Sequence, residues 1–482
     1  MHQVDSNLAS HVKNSSRYRW FILATVSIGT FMATLDSSIV NVALPTISMK
    51  LQADLSTLQW VVTAYLLTIS SLLPVFGRIA DLVGRKRVFS WGFLIFTLGS
   101  ALCGLSTNIW FLIGMRVLQA LGASMLMSNS AALIIANFPS NERGRALGLT
   151  GTVVALGGLT GPALGGILVG LLSWRSIFYI NLPIGILGYL AAQIILPQDT
   201  LQEKKETFDF AGALLFTVSM ISLLFAISNG QDWGWQSTPI LIGLIIGTLL
   251  LGLFFYTELK VNNPMIHLSL FRIRPFFIGN VTGFLSFVAM FANTMLMPFY
   301  LQHVLNYSPT QVGLLMTSFP LMMAIVAPIS GQASDRMGPI ILTTSGLFVT
   351  AVGFLYLSTM TTTSLYWQII PGLLLMGLGT GLFQSPNNSS VMSSVPPSKL
   401  GVAGGINALV RNVGMVIGIA FSVSLFENRE AVFLAGVNAP TAIQQATAFV
   451  GAYRIVMLTS MVIAIIAALI SLNRKGYTRP ET

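Results

Sequence analysis

The chain has 482 residues, of which 54% are hydrophobic and only 8% are charged. Soluble globular domains carry about 25% charged residues, so this composition excludes a soluble protein and predicts a polytopic membrane protein. The formal net charge of +10 does not indicate a nucleic-acid-binding surface, because the basic residues lie in short turns between apolar runs. The single cysteine, Cys103, excludes an intrachain disulfide and a cysteine metal cluster, and no metal site is expected.

The apolar runs predict fourteen membrane-spanning helices. A helix needs about 20 apolar residues to cross the hydrocarbon core, and runs of this length favour helices over the shorter strands of a membrane β-barrel. The first run is too long for the core of a signal peptide, so it is expected to remain as a spanning helix. The helices are expected near residues 20–44, 58–77, 88–106, 109–134, 146–170, 176–196, 209–229, 239–256, 276–301, 309–330, 341–359, 366–391, 401–424 and 452–472.

The distribution of basic residues supports this number of helices. An even number of spans places both termini on the same side of the membrane. Nineteen of the 25 Lys and Arg residues then fall on that side and only four on the other, whereas a miscounted helix would scramble the division. Because loops rich in Lys and Arg stay in the cytoplasm, both termini are predicted to be cytoplasmic.

Two long connections predict the division of the chain. Residues 197–208 and 257–275 bracket the seventh and eighth helices. They separate an N-terminal six-helix bundle (1–198) and a C-terminal six-helix bundle (276–482) from an inserted two-helix linker region (199–275). Repeated six-helix units are typical of transporters, in which the substrate site lies between the two halves.

A short turn occurs in both bundles and predicts a cytoplasmic gate. In GRIADLVGRKRVF (Gly77–Phe89) and GQASDRMG (Gly331–Gly338), two glycines and an aspartate recur at the same spacing. The glycines permit a tight reversal, and the acid can pair with neighbouring basic residues as the cytoplasmic ends move. Fixing the topology is the alternative role of the basic residues. The predicted gate consists of Gly77, Arg78, Asp81, Gly84, Arg85, Lys86, Asp335 and Arg336.

The first helix carries one acid, Asp36, well inside the apolar run from Trp20 to Leu44. An ionised Asp near the middle of the membrane costs about 2.5–3.5 kcal/mol on insertion scales. Such a residue usually faces the protein interior and has a function. The alternative is a neutral Asp that holds neighbouring helices together by hydrogen bonds.

Arg116 in the fourth helix is a second charge at membrane depth. A guanidinium in hydrocarbon needs an acid, carbonyl groups or water as a partner. Asp36 is the only acid placed deep in the N-terminal bundle, so the two are predicted to act together as a proton-coupling pair. Whether they touch stays open at this point, and a tether from Arg116 to backbone carbonyls is the alternative. A site whose environment changes with conformation can bind a proton in one state and release it in the other.

The fifth helix contains a stripe of small residues that predicts a hinge or a close seam between helices. Gly157, Gly161 and Gly165 recur every fourth residue, with Pro162 and Gly166 beside them. Small residues at this spacing let two helices approach closely, and proline bends a helix and frees a carbonyl group. Ordinary packing is the alternative.

Polar and flexible side chains in several helices are candidates to line a substrate cavity. Arg411 in the thirteenth helix is the only deep charge of the C-terminal bundle, and it could meet a polar or anionic group of the substrate or backbone carbonyls. Thioether and phenyl groups suit a pocket that accepts varied apolar compounds, although packing is the alternative. The candidates are Asn41, Gln119, Met290, Phe291, Gln384, Asn387, Asn407 and Arg411.

Four stretches resemble motifs of the major facilitator superfamily, in particular its fourteen-helix drug–proton antiporters. They are the Gly77–Phe89 turn, LDSSIVNVALPTI (Leu35–Ile47), RVLQALGAS (Arg116–Ser124) and GGLTGPALGG (Gly157–Gly166). One departure is Ala120, where the motif of the fourth helix usually has glycine. The resemblance implies two six-helix bundles, an extra helix pair between them and alternating access. It also implies that Asp36 is protonated from outside as the drug leaves, with support from Arg116.

Together these features predict proton-coupled efflux of lipophilic, cationic or neutral drugs by a monomer in the cytoplasmic membrane. The partners are then the solute, protons and the lipid bilayer, with no cofactor because the proton gradient supplies the energy. An exporter dedicated to one antibiotic, lipid or metabolite is the alternative, and a membrane sensor or scaffold is the rival from another class. No phosphate-binding loop is present, which excludes an ATP-driven pump, and no nucleophile–base arrangement suggests an enzyme.

Overall fold

The computed structural model describes residues 18–139, 142–198, 210–230, 233–261, 267–396, 399–437 and 439–474. Within these ranges every regular element is helical, and fourteen helices are long and apolar enough to cross a membrane, which confirms the predicted fold class. The predicted cytoplasmic termini, 1–17 and 475–482, lie outside the described residues. The helices are α1 (Tyr18–Leu51), α2 (Leu55–Val83), α3 (Arg85–Gly104), α4 (Ile109–Asn137), α5 (Arg145–Leu171), α6 (Ser176–Ile195), α7 (Ala211–Asn229), α8 (Thr238–Glu258), α9 (Arg274–Val304), α10 (Pro309–Met337), α11 (Pro339–Leu357), α12 (Tyr366–Ser393), α13 (Leu400–Leu434) and α14 (Ala442–Ser471).

The last two helices are longer than the apolar pattern predicts. The sequence indicates a loop over residues 425–451, but α13 continues to Leu434 and α14 begins at Ala442. Thr441 caps α14, since its hydroxyl accepts a hydrogen bond from the backbone N–H of Gln444 and the Gln444 side chain accepts one from the backbone N–H of Thr441. Exposed polar residues in the last turns of α13 and the first turns of α14 interrupt the apolar pattern without ending the helices. Hydropathy alone therefore misplaces both boundaries.

The first six and the last six helices pack in the same arrangement. In the first group α1 contacts α4, α5 and α6, and in the last group α9 contacts α12, α13 and α14. The two groups meet where α5 contacts α10 and where α2 contacts α13. When α1–α6 are matched in order with α9–α14, α5 corresponds to α13 and α2 corresponds to α10. Each of the two contacts is therefore the counterpart of the other. The repeat that was visible in the turn sequences therefore extends to the helix packing.

The two inserted helices, α7 and α8, pack against each other, and α7 also contacts α2 and α13. The Thr217 hydroxyl of α7 donates a hydrogen bond to the carbonyl of Ser71 in α2 at 3.3 Å. Phe216 and Phe254 belong to an apolar cluster that includes Ile406 of α13. The inserted pair thus covers the line where the two groups meet along α2 and α13. Residues 199–209, 231–232 and 262–266 of the predicted linker region lie outside the described residues.

The repeated turn has the backbone conformation that its glycines predict. Gly84, between α2 and α3, has φ +116°, and Gly338, at the corresponding position between α10 and α11, has φ +84°. Residues with a Cβ rarely adopt such angles. The glycines are therefore required by the backbone at these two positions.

The charged residues of the first turn tie it to neighbouring helices. Arg85 Nε and Nη2 donate to Asp81 Oδ1 at 3.0 and 2.9 Å, while Arg85 Nη1 donates to the carbonyl of Ala132 in α4 at 3.3 Å. Lys86 Nζ donates to the carbonyl of Leu196, just after α6, at 2.9 Å. The remaining predicted gate residues lie toward the C-terminal ends of α2 and α10: Gly77, Arg78, Asp335 and Arg336. Their role as a gate stays a prediction.

Replacing Gly84 by Ala is expected to destabilise the protein by about 1–3 kcal/mol, because alanine is strained at this positive φ. The apparent Tm of the purified protein in detergent should fall. Gly252→Ala is the matched control, since Gly252 lies within α8 and an added Cβ would meet no atom within 4 Å. Equal Tm values for the two variants would contradict the assignment.

Candidate transport site

Asp36 lies in the middle of α1 and is completely buried. Arg116 Nη1 of α4 donates to its Oδ2 at 2.5 Å, and Gln119 Nε2 donates to Oδ1 at 2.7 Å. Asn181 Nδ2 of α6 also donates to Oδ1, at 3.0 Å. The carboxylate is therefore held by three donors from two neighbouring helices. Asp36 and Arg116 are in direct contact, a question that the sequence alone left open.

The Arg116 side chain has further partners besides Asp36 and Gln119 Oε1, to which its Nη1 donates at 2.7 Å. Its Nε donates to the carbonyl of Val61 in α2 at 3.0 Å, and its guanidinium lies over the ring of Tyr65 at 4.0 Å from the centroid. The two roles considered from the sequence, partner of Asp36 and tether to a backbone carbonyl, thus occur together. Removing one member of such a buried ion pair costs about 3–5 kcal/mol, because the other charge is left without compensation.

A second layer of hydrogen bonds completes what we call the Asp36 cluster: Asp36, Ser100, Arg116, Gln119 and Asn181. The Ser100 hydroxyl accepts from Gln119 Nε2 at 3.1 Å and from Asn181 Nδ2 at 3.0 Å. Sequence reasoning missed Ser100 and Asn181. A carboxamide inside the apolar run of α6 was a visible signal for Asn181, whereas a serine in a spanning helix is too common to single out.

The corresponding first and last helices of the C-terminal half are joined by a hydrogen bond between uncharged side chains. Asn293 of α9 accepts a hydrogen bond from the Tyr453 hydroxyl of α14 at 3.0 Å. The Tyr453 ring stacks on Tyr300, with 5.4 Å between the centroids. Because α9 and α14 correspond to α1 and α6, this bond joins the same two helices of the repeat as the bond between Asn181 and Asp36. Unlike Asp36, Asn293 lines the cavity and carries no ionisable carboxyl.

A cavity of about 260 Å³ lies between the two halves. Helix α1 contributes hydroxyl groups and an amide to its wall, and the C-terminal half contributes mainly phenyl and thioether groups. Five of the eight side chains predicted from the sequence line it: Asn41, Met290, Phe291, Gln384 and Arg411. Arg411 Nε is buried and has no hydrogen-bond partner among the described residues.

Three predicted cavity residues lie elsewhere. Gln119 belongs to the Asp36 cluster, and Asn407 Nδ2 donates to Asn388 Oδ1 at 3.2 Å. Asn387 Nδ2 donates to the carbonyl of Gly279 at 3.1 Å, while its Oδ1 accepts a hydrogen bond from Arg474. The rotation of each helix about its own axis determines whether a given side chain faces the cavity or a neighbouring helix. Gln384 and Asn387 are three positions apart in α12, yet of these two only Gln384 lines the cavity.

Arg474 follows α14 and is completely buried, although it belongs to the basic C-terminal segment that the sequence predicts to be cytoplasmic. Its Nη2 also donates to the hydroxyl of Thr282 in α9 at 2.9 Å. Burial lowers the pKa of Arg474 to about 10, so the guanidinium remains charged at neutral pH. The residue joins α9, α12 and the end of α14.

Tyr65 is the contact between the cavity and the Asp36 cluster. One side of this residue lines the cavity, and its ring packs against the guanidinium of Arg116. The Tyr65 hydroxyl is buried without a hydrogen-bond partner among the described residues. Asp36 itself does not line the cavity, so the predicted proton-coupling pair and the cavity are adjacent but separate.

The small residues of α5 make two different close contacts. Gly157, Gly161 and Gly165 face α1, where a Cβ added at Gly157 or at Gly165 would lie 2.9 Å from a side-chain carbon of Thr34 or Ile39. The contact of this stripe lies within the N-terminal half.

Gly166 instead faces α10 in the other half. A Cβ added there would lie 2.6 Å from the carbonyl oxygen of Pro309 and 2.8 Å from Gly313 Cα. A Cβ at Gly313 would in turn overlap the carbonyl oxygen of Pro162. We call this contact the α5–α10 seam. The chain direction places it at the end of the molecule opposite the Gly77–Phe89 turn.

A second link closes the same end of the molecule. The Gln302 side chain of α9 donates to the carbonyl of Val42 in α1 at 3.1 Å and accepts from the Thr46 hydroxyl at 3.3 Å. Together with the seam, these hydrogen bonds hold the two halves together beyond the cavity. The molecule is closed at this end.

A family model described as Major Facilitator Superfamily matches residues 26–419. The chain belongs to this superfamily. It is 40% identical to the riboflavin transporter RibZ of Clostridioides difficile over 413 residues, which cover 85% of this chain and 89% of that protein. It is 36% identical to the multidrug resistance protein Stp of Mycobacterium tuberculosis over 408 residues, or 84% of this chain and 75% of that one. The methylenomycin A resistance protein of Streptomyces coelicolor is 31% identical, with 83% and 84% coverage.

A solved structure supports the major facilitator fold. The bacterial homologue of the human lysosomal transporter Spinster, in an inward-facing and occupied conformation, matches 96% of this chain and 97% of its own with a TM-score of 0.68. At 14% sequence identity this likeness concerns the fold alone. Family and relatives show that the chain is a multi-pass membrane transporter of small molecules and not an enzyme.

The motifs of this major facilitator transporter have distinct structural roles. The motifs of α1 and α4 meet in the Asp36 cluster, through Asp36, Arg116 and Gln119. The motif of α5 forms one contact within its half through Gly157 and another across the halves through Gly166. The sequence motifs therefore mark the buried charge and the contact surfaces, whereas the cavity wall comes largely from residues outside them.

Proposed function

We propose that the chain exports lipophilic small molecules from the cytoplasm in exchange for protons that bind to Asp36. The observation that carries this proposal is the position of Asp36. It is a completely buried carboxylate in contact with Arg116, and that guanidinium packs against the ring of Tyr65, which lines the cavity. Proton binding and solute binding can therefore influence each other through two side chains.

The proposed coupling follows from the charge of the pair. When Asp36 is ionised, its attraction holds the Arg116 guanidinium in place against the ring of Tyr65. Protonation removes that attraction and releases Arg116 from its strongest partner, so Tyr65 can change position at the cavity wall. Linkage is reciprocal, so a solute that displaces Tyr65 changes the proton affinity of Asp36 by the same factor.

In this proposal, protons that enter through the cytoplasmic membrane drive the export. The chain acts in the cytoplasmic membrane as a monomer with both termini inside, as the basic residues of the turns favour. It uses no cofactor, because a proton that crosses the membrane potential supplies about 2.3 kcal/mol per 100 mV. The α5–α10 seam opens as the cavity turns outward and closes again as the cavity returns.

The second candidate function is transport of one dedicated solute. It is favoured by the 40% identity to a protein named as a riboflavin transporter. Riboflavin has a planar ring system with carbonyl acceptors, and the cavity combines phenyl rings with donor groups such as Arg411. Relatives named for multidrug and antibiotic resistance favour the first proposal, export of several lipophilic compounds.

Everted membrane vesicles from cells that produce the chain test both functions. Respiration acidifies the vesicle interior, and a pH-sensitive dye reports proton release when a transported compound is added. We expect several lipophilic compounds to cause proton release and to accumulate, and a protonophore to abolish accumulation. Accumulation that resists the protonophore would refute proton coupling. A response to riboflavin alone in the panel would establish the second candidate.

A further inference from the structure

The described wall of the cavity carries an unbalanced positive charge. Among the described residues, Arg411 is the only charged side chain that lines the cavity. Asp36 does not compensate it, since that carboxylate lies outside the cavity and is paired with Arg116. In surroundings of low dielectric constant, an unbalanced guanidinium gives the cavity a positive potential.

Two donor groups next to each other in α13 have no partner. Arg411 Nε and Asn412 Nδ2 are buried and make no hydrogen bond to any of the described residues. Both residues line the cavity, and Asn412 is only 3% exposed. A buried donor without an acceptor is costly, so the pair creates a place where an acceptor group is strongly preferred.

The wall contributed by the C-terminal half suits an apolar body. Phe287, Phe291 and Phe319 line the cavity together with the thioethers of Met290 and Met323. Aromatic rings and flexible thioethers accommodate flat ring systems of varied shape. An occupant of this cavity would therefore combine an aromatic body with a group that accepts hydrogen bonds.

We propose that the transported solute is a lipophilic organic anion whose oxyanion pairs with Arg411 and Asn412, while its ring system contacts the phenyl and thioether wall. This inference rests on the proposed export function and specifies its substrate class. It replaces the cationic part of the sequence prediction, because a cation would meet a positive cavity without an acid. The charge-assisted bond to the oxyanion would also satisfy the buried donors.

The proposal has an electrical consequence. Export of a monovalent anion and entry of a proton both make the cell interior more positive. Each cycle therefore moves two elementary charges through the membrane potential. Exchange of a monovalent cation for one proton would move no net charge. An inside-negative potential should therefore accelerate export of the anion even without a pH gradient.

Binding of three matched probes to the purified full-length chain in detergent tests the charge preference. The probes are 1-pyrenebutyrate, 1-pyrenebutanol and a pyrenebutyl trimethylammonium salt, and energy transfer from tryptophan to pyrene reports binding. We expect the carboxylate to bind about tenfold more tightly than either other probe. Equal binding of the three, tighter binding of the cation, or no binding of the carboxylate would each overturn the proposal.

The variant Arg411→Gln should remove this preference, since Gln lacks the charge. Arg429→Gln is the matched control, because Arg429 is an exposed residue near the end of the same helix. It should bind the three probes as the unchanged protein does. A carboxylate preference that survives in a folded Arg411→Gln protein would also overturn the proposal. The ranking of the probes on the unchanged protein decides the question even if that variant does not fold.

Currents from proteoliposomes separate this inference from the proposed function. At equal pH on both sides, an inside-negative potassium diffusion potential should increase carboxylate export and its associated current, relative to liposomes without protein. Carboxylate binding without any proton dependence of transport would overturn proton-coupled export alone. Proton-driven transport of the cationic probe, with no carboxylate binding, would overturn the anion site alone.

Discussion

Replacing Asp36 by Asn is expected to reduce proton-driven export to the level of membranes without the protein. Asparagine has nearly the same shape and can still accept hydrogen bonds from Gln119 and Asn181, but it cannot bind and release a proton. The proposal therefore predicts that downhill exchange of solute continues while accumulation against a gradient stops. Solute uptake into everted vesicles, with and without an imposed pH gradient, measures both activities.

The matched control is Asp54→Asn, which removes an exposed carboxylate between α1 and α2. It should export at the original rate. The Asp36→Asn variant also leaves Arg116 buried without its ionic partner, which costs about 3–5 kcal/mol. The double variant Asp36→Asn with Arg116→Gln removes both charges and should recover stability without recovering accumulation. Undiminished accumulation by Asp36→Asn would refute the assignment of the proton site.

Replacing Gly166 by Val is expected to abolish transport by preventing closure of the α5–α10 seam. The added Cβ would lie 2.6 Å from the carbonyl oxygen of Pro309 and 2.8 Å from Gly313 Cα, both of which belong to the backbone and cannot rotate away. The two halves should then remain apart at this end, so the solute site cannot return to the other side. Accumulation in everted vesicles measures the loss.

A reporter in the same region checks the reason for that loss. Thr46 forms a hydrogen bond to Gln302 at the same end of the molecule as the seam, so a Thr46→Cys side chain should react faster with an impermeant maleimide when Gly166→Val is present. Cys103 is buried and contributes little background. Gly151→Val is the control in the same helix, because a Cβ at Gly151 would meet no atom within 4 Å. Normal transport by Gly166→Val would mean that the seam does not have to close.

The sequence by itself determined the class of the protein and the number of its helices. Hydropathy and the charges of the turns are local properties, since each span needs enough apolar residues and each turn carries its own Lys and Arg. The glycines at 84 and 338 are local too, because a positive φ depends on the turn itself. Likewise, the single acid of α1 and the stripe of small residues in α5 were visible without any knowledge of packing.

Only the tertiary structure decided which of these groups meet. Asp36 and Arg116 are far apart in the chain, and their contact depends on how α1 and α4 are rotated about their axes. The same rotations place Gln119 in the Asp36 cluster, turn Asn387 toward α9 and leave Arg411 in the cavity. Helical periodicity indicates which residues share a face, but the neighbour of that face is set by the packing of all the other helices.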